Sequence, residues 1–188
     1  MAASEDGFDV DADVVLFDNV GGTRSAVEHL LGRGHRRIGF VGDSPEIFTA
    51  AERLRGYRET LARAGLAADE SVIRVGAHDT DSAEAAVGEL VALPEPPTAL
   101  FTGNNRITVG ALRVIHRNGF RLALVGFDDL ELGEMLMLPV TVVAHDPTEL
   151  GRQAAELVLR RLAGDHRPPQ RVVLPTVLIV RGSGEVPP

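Results

Sequence analysis

The stretch that decides the fold is residues 99–128, which read ALFTGNNRITVGALRVIHRNGFRLALVGFD. It opens with a short apolar run, continues after Asn104 with apolar residues at helical spacing, and closes on a second apolar run. Strands that are apolar throughout are typical of a sheet covered on both faces. The stretch therefore predicts a strand, a helix that ends at Gly119, and a second strand of a parallel sheet.

The same alternation of strands and helices continues in both directions, with five helices in all. The first helix is predicted to begin at Thr23, with Gly21 and Gly22 as turn glycines before it. The last is predicted to begin at Asp146-Pro147, because an aspartate N-cap followed by proline is a strong start signal. The first dozen residues and the last six are predicted to be loose tails. The predicted strands are 14–17, 38–41, 72–75, 99–102, 122–127, 141–144, 172–174 and 177–180.

Composition excludes several classes of protein. The 188 residues contain no cysteine, which rules out disulfides, thiolate catalysis and cysteine zinc sites. No apolar run approaches the ~20 residues of a membrane helix, and no signal peptide opens the chain, so a cytoplasmic protein without membrane contact is expected. The net charge is −8, whereas duplex DNA requires a concentrated basic surface. We therefore expect no DNA binding by these residues themselves.

Polar side chains follow four of the predicted strands, at Asp43, Asn104, Asp128 and His145. Because ligands of open α/β sheets bind beyond the carboxyl ends of the strands, these residues are candidates for a binding site. For any one of them alone a purely structural interpretation is favoured, since asparagine and aspartate are also the commonest helix N-caps.

Signals for catalysis are weak. Asp128 and Asp129 could form an acid–base or Mg²⁺ pair, but adjacent residues usually point apart, and no partner base or nucleophile can be assigned. The histidines lack metal-ligand spacing, and neither a nucleophile elbow nor a Walker loop is present. The run of Arg53, Arg55 and Arg58 is typical of a solvated helix face. We therefore predict no catalytic residue, no metal and no cofactor.

The motifs, taken in order, match one known pattern. They are FDN at 17–19, GT at 22–23, AVEHL at 26–30, GHRRIGF at 34–40, RLRGY at 53–57, PTALF at 97–101, NN at 104–105 with GAL at 110–112, VGFDD at 125–129, PVTVV at 139–143, LGRQAA at 150–155 and VRGS at 180–183. This series resembles the effector domains of the LacI/GalR family of transcription regulators, over residues 14–183.

The resemblance implies an α/β fold with a Rossmann-like doubly wound parallel sheet of the type I periplasmic-binding-protein kind, with one complete subdomain and part of a second. Residues 1–17 would be a tail and the last strand of the N-terminal subdomain, and 18–146 the complete C-terminal subdomain. Residues 147–175 would be a crossover helix and strand of the N-terminal subdomain, and 176–188 the return strand and a tail. The family binds its effector between the two subdomains.

Five residues match positions that contact or line the effector site of the family. Arg53, Asn104 and Asp128 correspond to its usual ligand contacts, whereas Thr49 and His145 stand at positions that sometimes line the pocket. The implied ligand is a small polar molecule, a sugar or a sugar derivative, because carboxylates and arginines suit hydroxyl groups.

The sequence departs from the family pattern at two places. Asn105 replaces a usually acidic residue, and the turn between Gly119 and Leu122 is several residues short.

The resemblance also implies partners. It implies a homodimer, through the apolar stretch Leu130, Leu132 and 135–138 and the helix after Asn105. It implies contact with operator DNA only through a helix-turn-helix head, which these residues do not include. A solute-binding protein of a transport system shares the fold and is the main alternative, and an α/β enzyme is the third.

Overall fold

The computed structural model describes residues 12–131 and 133–188, in which strands and α-helices alternate. The strands are β1 (Val14–Phe17), β2 (Ile38–Val41), β3 (Ile73–Arg74), β4 (Ala99–Thr102), β5 (Ala123–Phe127), β6 (Thr141–Ala144), β7 (Arg171–Leu174) and β8 (Val177–Ile179). The helices are α1 (Asn19–Gly32), α2 (Phe48–Arg63), α3 (Thr80–Val91), α4 (Asn105–Asn118) and α5 (Pro147–Leu162), with short 3₁₀ turns at Glu70–Val72, Gly133–Met135 and Ser183–Glu185.

The strands form two separate sheets. The large sheet has the order β3-β2-β4-β5-β6-β8, in which all neighbouring strands are parallel except β8, which is antiparallel to β6. The small sheet consists of β1 and β7, paired in parallel. The chain therefore passes between the sheets three times, after β1, after β6 and after β7.

Helices cover both faces of the large sheet, which confirms the predicted doubly wound fold. Helices α1 and α2 pack together over one face and α3 and α4 over the other. The core beneath the first pair includes Phe40, Tyr57 and Phe101, and the core beneath the second includes Leu100 and Ile107. Helix α5 contacts β1 of the small sheet.

The predicted start of the first helix is wrong. Its N-cap is Asp18, whose carboxylate accepts a hydrogen bond of 2.7 Å from the Gly21 amide, and Thr23 lies fully buried within the helix. Gly21 and Gly22 are helical residues rather than turn residues. A Cβ at Gly22 would lie 2.8 Å from Val143 Cγ1, so glycine is needed there for close packing of α1 on the strands.

The starts of the last two helices are confirmed. Asn104 caps α4 by accepting from the Ile107 amide, and Gly119 ends that helix in the left-handed conformation, with φ at 62°. The Asp146 carboxylate caps α5, whose first residue is Pro147. In each case neighbouring residues supply the signal.

The predicted loose C-terminal tail is also wrong for its first residues. Ser183 is buried and donates to the Leu124 carbonyl at 2.6 Å, and the Val186 carbonyl bonds to His35 Nε2 at 2.9 Å. Glu185 lies 2.5 Å from His29 Nε2. These partners are distant in sequence, so a Gly/Pro-rich composition gave no sign of them. The predicted N-terminal tail, 1–12, lies outside the described residues except for Ala12.

Within residues 12–131 and 133–188, no helix is long and apolar enough to cross a membrane.

Candidate functional site

The candidate site lies at the carboxyl ends of the parallel strands of the large sheet. The chain runs from β2 outward to β3 and then returns to the other side of β2 with β4, so the sheet changes winding direction between β2 and β4. Ligands of open α/β sheets bind at such a switch point. Asn104 follows β4, Asp128 follows β5 and His145 follows β6, so adjacent strands bring them to one edge.

Arg53 reaches this edge from α2. Gly56, one turn later on the same helix face, allows α2 to approach α1 closely, because a Cβ there would lie 2.9 Å from the Val20 carbonyl oxygen. Arg53 Nε then donates to Asn19 Oδ1 at 2.8 Å and Nη1 to the Gly103 carbonyl. The spacing of Arg53 and Gly56 thus has a physical reason.

The guanidinium of Arg53 is almost completely removed from solvent. The residue is 9% exposed, and its Cζ atom lies 3.8 Å above the centre of the Phe127 ring. Burial lowers the pKa of Arg53, while the nearby Asp128 carboxylate acts in the opposite direction. An arginine keeps its charge in proteins, so this cation is fixed in place by an aromatic face and oriented acceptors.

Asp128 is held in an unusual conformation at the end of β5. Its φ angle is 69°, in the left-handed region that few residues other than glycine adopt, although aspartate tolerates it better than most. Oδ1 accepts from His145 Nε2 at 2.9 Å, and Oδ2 lies 3.5 Å from Arg53 Nη1. Strained backbone of this kind persists where surrounding contacts hold it, and it is concentrated at functional sites.

His145 connects the cluster to the small sheet. Its imidazole stacks on the Phe17 ring, with 3.8 Å between centroids and 20° between the planes. Its Nδ1 atom is buried and has no hydrogen-bond partner in the part of the chain that the structure describes. The bond to Asp128 is therefore the one that orients this ring.

The structure thus joins three of the five predicted site residues, Arg53, Asp128 and His145, by direct contacts. Asn104 lies beside them, directly after Gly103, but its amide oxygen serves as the α4 cap. Thr49 is half-buried in the first turn of α2, and among the described residues it makes no hydrogen bond to the other four. A role in ligand binding remains a prediction for all five.

The adjacent residues Asp128 and Asp129 have different partners in this structure. Asp128 accepts from His145 Nε2, whereas Asp129 accepts from Arg181 Nη2 at 2.8 Å. This ion pair holds the pKa of Asp129 below its ordinary value. In the described ranges there is also no cluster of three or more histidine, aspartate or glutamate residues suited to a metal ion.

Two residues of the site were missed by the sequence analysis. Asn19 is 4% exposed and bonds Arg53, although it was noted only as part of the FDN motif. Phe17 was assigned to a strand and not to the site. The one sequence signal for both residues is their position at the end of β1. This position indicates a place in the site only when α2 is known to pack on α1.

Chemically, the cluster offers a buried cation and a carboxylate side by side at an open sheet edge. Nε and Nη1 of Arg53 are engaged with protein atoms, which leaves Nη2 to donate to a ligand. The carboxylate of Asp128 has further lone pairs that can accept from hydroxyl groups. The arrangement can fix the orientation of a polyhydroxylated molecule by charge-assisted hydrogen bonds.

Comparison with known proteins places the chain in a family. Residues 27–184 match the periplasmic binding protein-like domain. The chain is 40% identical to the HTH-type transcriptional regulator CelR of Thermobifida fusca, over 90% of this chain and 51% of that protein. It therefore spans about half the length of the curated relatives it matches.

Solved structures agree with this assignment. A complex of the transcriptional regulator CelR with cellobiose superimposes with a TM-score of 0.86 and 36% identity, over 92% of this chain and 54% of that one. A LacI-family regulatory protein from Chloroflexus aggregans gives a TM-score of 0.87 and 32% identity, over 94% and 65% of the two chains. The chain therefore belongs to the periplasmic binding protein-like domain family.

Proposed function

We propose that the chain is the ligand-sensing region of a LacI-type transcriptional repressor and that it binds a sugar at the carboxyl edge of the large sheet. The observation that carries this proposal is the contact of buried Arg53 with Asp128, which itself bonds His145. Arg53 Nη2 donates to a ring or hydroxyl oxygen of the sugar, and Asp128 accepts from its hydroxyl groups. Asn104 and Thr49 line the same edge.

The first candidate for the sugar is a β-linked glucose disaccharide. The relative that shares 40% identity with this chain bears the same name as a regulator whose structure contains cellobiose. Polar residues follow β4, β5 and β6 in turn, so the edge offers contacts over neighbouring strands spaced about 4.8 Å apart. An elongated ligand of two rings suits such a row.

The ligand acts by changing the relative orientation of the two sheets. Residues 18–146 together with β8 form one jaw around the large sheet, and the small sheet with α5 belongs to the other. The three crossovers between the sheets form the hinge. A sugar that contacts both jaws binds one orientation better than another, and this difference in affinity is all that allosteric control requires. The chain itself is a sensor and performs no catalysis.

The active form is a homodimer in the cytoplasm. Met135 and Met137 are strongly exposed, and Leu136 and Leu138 line an apolar groove with Leu112 of α4. Leu132, which belongs to the same predicted surface, lies outside the described residues. A surface this apolar is typical of a subunit interface. With a net charge of −8, the chain leaves operator DNA to a helix-turn-helix region beyond these residues.

The dimer is tested by light scattering at tens of micromolar protein. Met137→Asp places a charge on the most exposed of these side chains and should convert a dimer into a monomer. Val177→Asp, at an exposed apolar position of β8 that pairs with Ala144 at the end of β6, is the control and should leave the mass unchanged. A wild-type chain that is monomeric at this concentration contradicts the proposal.

The sugar is tested by calorimetry of the wild-type chain with cellobiose, maltose, ribose and glucose. Because the small sheet supplies only part of the second jaw, we expect a Kd near the millimolar range, about −4 kcal/mol, with cellobiose ahead of the others. Absence of heat for all four sugars at about ten times that concentration would contradict a sugar sensor.

A further inference from the structure

Five residues around the site form a closed ring of contacts, here called the contact ring: Phe17, Asn19, Arg53, Asp128 and His145. One arm begins at the Phe17 carbonyl, which accepts from Asn19 Nδ2 at 3.0 Å. Asn19 Oδ1 then accepts from Arg53 Nε at 2.8 Å. This arm fixes both ends of the Asn19 amide, so the arginine is connected to the backbone of β1.

The other arm returns to the same residue. Arg53 Nη1 lies 3.5 Å from Asp128 Oδ2, and Asp128 Oδ1 accepts from His145 Nε2 at 2.9 Å. The His145 imidazole stacks on the Phe17 ring. The two residues proposed to bind the sugar are therefore connected to Phe17 on both sides, once through its backbone and once through its side chain.

The ring spans the boundary between the two sheets. Phe17 is the last residue of β1 and pairs with Leu174 of the small sheet. Arg53 lies in α2 and Asp128 directly follows β5, both in the large-sheet jaw, whereas Asn19 lies just after the first crossover and His145 just before the second. A rotation of the small sheet displaces Phe17 and must strain or break contacts in both arms.

Burial makes these contacts costly to lose. Asn19 and Arg53 are 4% and 9% exposed, and water does not readily replace a partner that either one loses. The His145 ring has its Nδ1 atom buried without a partner in the described ranges, so its bond to Asp128 is the one polar contact that holds it. Buried polar networks of this kind respond as a unit.

We propose that Asn19 and His145 are positioning residues that connect the sugar-binding pair Arg53–Asp128 to Phe17, so that occupation of the site and orientation of the small sheet are coupled through the contact ring. Neither residue needs to touch the sugar for this role. The proposal rests on the proposed function for the ligand, but the ring itself is tested without any ligand.

The test without ligand is a double-mutant cycle of Asn19→Ala and His145→Ala, read as thermal midpoints. No hydrogen bond joins the two side chains, so independent positions would give additive shifts. We expect each single variant to lower Tm by about 3–6 °C and the double variant to fall at least about 2 °C short of the sum. Additive shifts would overturn the ring.

A matched cycle controls for general destabilisation. Asn118→Ala removes a side-chain amide that bonds the Val114 carbonyl, far from the ring. Combined with His145→Ala it should give additive shifts. If Asn19→Ala does not fold, Asn19→Asp replaces it, because it retains an acceptor for Arg53, loses the donor to the Phe17 carbonyl and adds a negative charge beside the Arg53 cation. Non-additivity with His145→Ala is again expected, and additivity again contradicts the proposal.

The test with ligand measures hydrogen exchange of the β1 amides with and without saturating cellobiose. In the wild type we expect cellobiose to slow exchange at Phe17 and Asp18 by about threefold or more. In Asn19→Asp the sugar should still bind, within about tenfold of wild-type affinity, but slow these amides less. Cellobiose binding that leaves wild-type β1 exchange unchanged overturns the coupling while the proposed function stands. If cellobiose does not bind at all, the result counts against the proposed ligand. The double-mutant cycle without ligand then decides by itself whether the contact ring is coupled.

Discussion

The large and small sheets are built by the same rules but differ in how well they are covered. Every residue of β2, β4 and β5 is buried, because helices pack on both faces. In the small sheet only Leu174 is buried, and in α5 only Leu157. Helix caps and apolar runs are equally clear in the sequence of both regions, so neighbouring residues specify the helices and strands of each. Burial of the side chains decides which region is stable by itself.

The small sheet is held instead by a few polar contacts. The Asp13 carboxylate accepts from Arg161 Nε and Nη2 and from the Gln170 amide, all at 2.7 Å, and so joins β1, α5 and β7. Val158, Leu159 and Leu162 of α5 remain exposed.

The largest expected effect is on the free energy of unfolding, when the same leucine-to-alanine truncation is made in the two regions. Leu100 of β4 is fully buried, and Leu100→Ala should lower the free energy of unfolding by about 2–5 kcal/mol. Leu159 of α5 is 64% exposed, and Leu159→Ala should change it by no more than about 0.5 kcal/mol. Urea titration measures both. Similar losses for the two variants would mean that the small sheet is as well packed as the large one.

The next largest effect is a pH dependence of stability that arises in the large-sheet jaw. His35 is fully buried against Thr98 and the Val186 carbonyl, and this burial lowers its pKa. Below the ordinary histidine pKa of about 6.5 the unfolded chain gains a proton that folded His35 resists, so stability falls with pH. When the pH is lowered from 7.5 to 5.5, the free energy of unfolding of the wild type should therefore decrease. In His35→Asn this decrease should be smaller, by up to about 1 kcal/mol.

The control for this pH effect is His166→Asn, which alters an exposed histidine next to the small sheet. It should show the same pH dependence as the wild type. Equal pH dependence of His35→Asn and the wild type would contradict a buried, neutral His35.

The smallest effect is local to the small sheet. Hydrogen bonds from Arg161 and the Gln170 amide lower the pKa of Asp13 to about 2. The stabilising charge is thus fully present above pH 4 and is lost as pH falls through about 2. Asp13→Asn should speed hydrogen exchange of the β7 amides about threefold or more at pH 7, and less at pH 3. Asp81→Asn, at an exposed ion pair of α3, should not affect β7. Unchanged hydrogen exchange of the β7 amides in Asp13→Asn would show that the Asp13 contacts do not hold the small sheet together.

The parts of the fold that the sequence predicted correctly depend on neighbours along the chain. The apolar run of β4, the Asn104 cap with Gly119 and the Asp146-Pro147 start are of this kind. The errors concern long-range packing. Gly21 and Gly22 resemble a turn until Val143 and Thr176 are known to pack against Gly22.

The candidate site shows the same division. Arg53 and Asp128 were predicted from the resemblance to the LacI/GalR family, and the structure brings them into contact. Asn19 and Phe17 were not predicted, because their role depends on the approach of α2 to α1 and on the stacking of His145 across a crossover. No pattern in the adjacent residues encodes either contact.

We propose that Arg53 and Asp128 bind the sugar, and calorimetry with cellobiose tests this proposal. Asp128→Asn and Arg53→Ala should each weaken binding by tenfold to a hundredfold or more, since each removes one charged partner, about 1.5–3 kcal/mol. Arg55→Ala, on the exposed side of the same helix, is the matched control and should bind as the wild type does. Wild-type affinity in both site variants, with the fold intact by circular dichroism, would show that the sugar binds elsewhere.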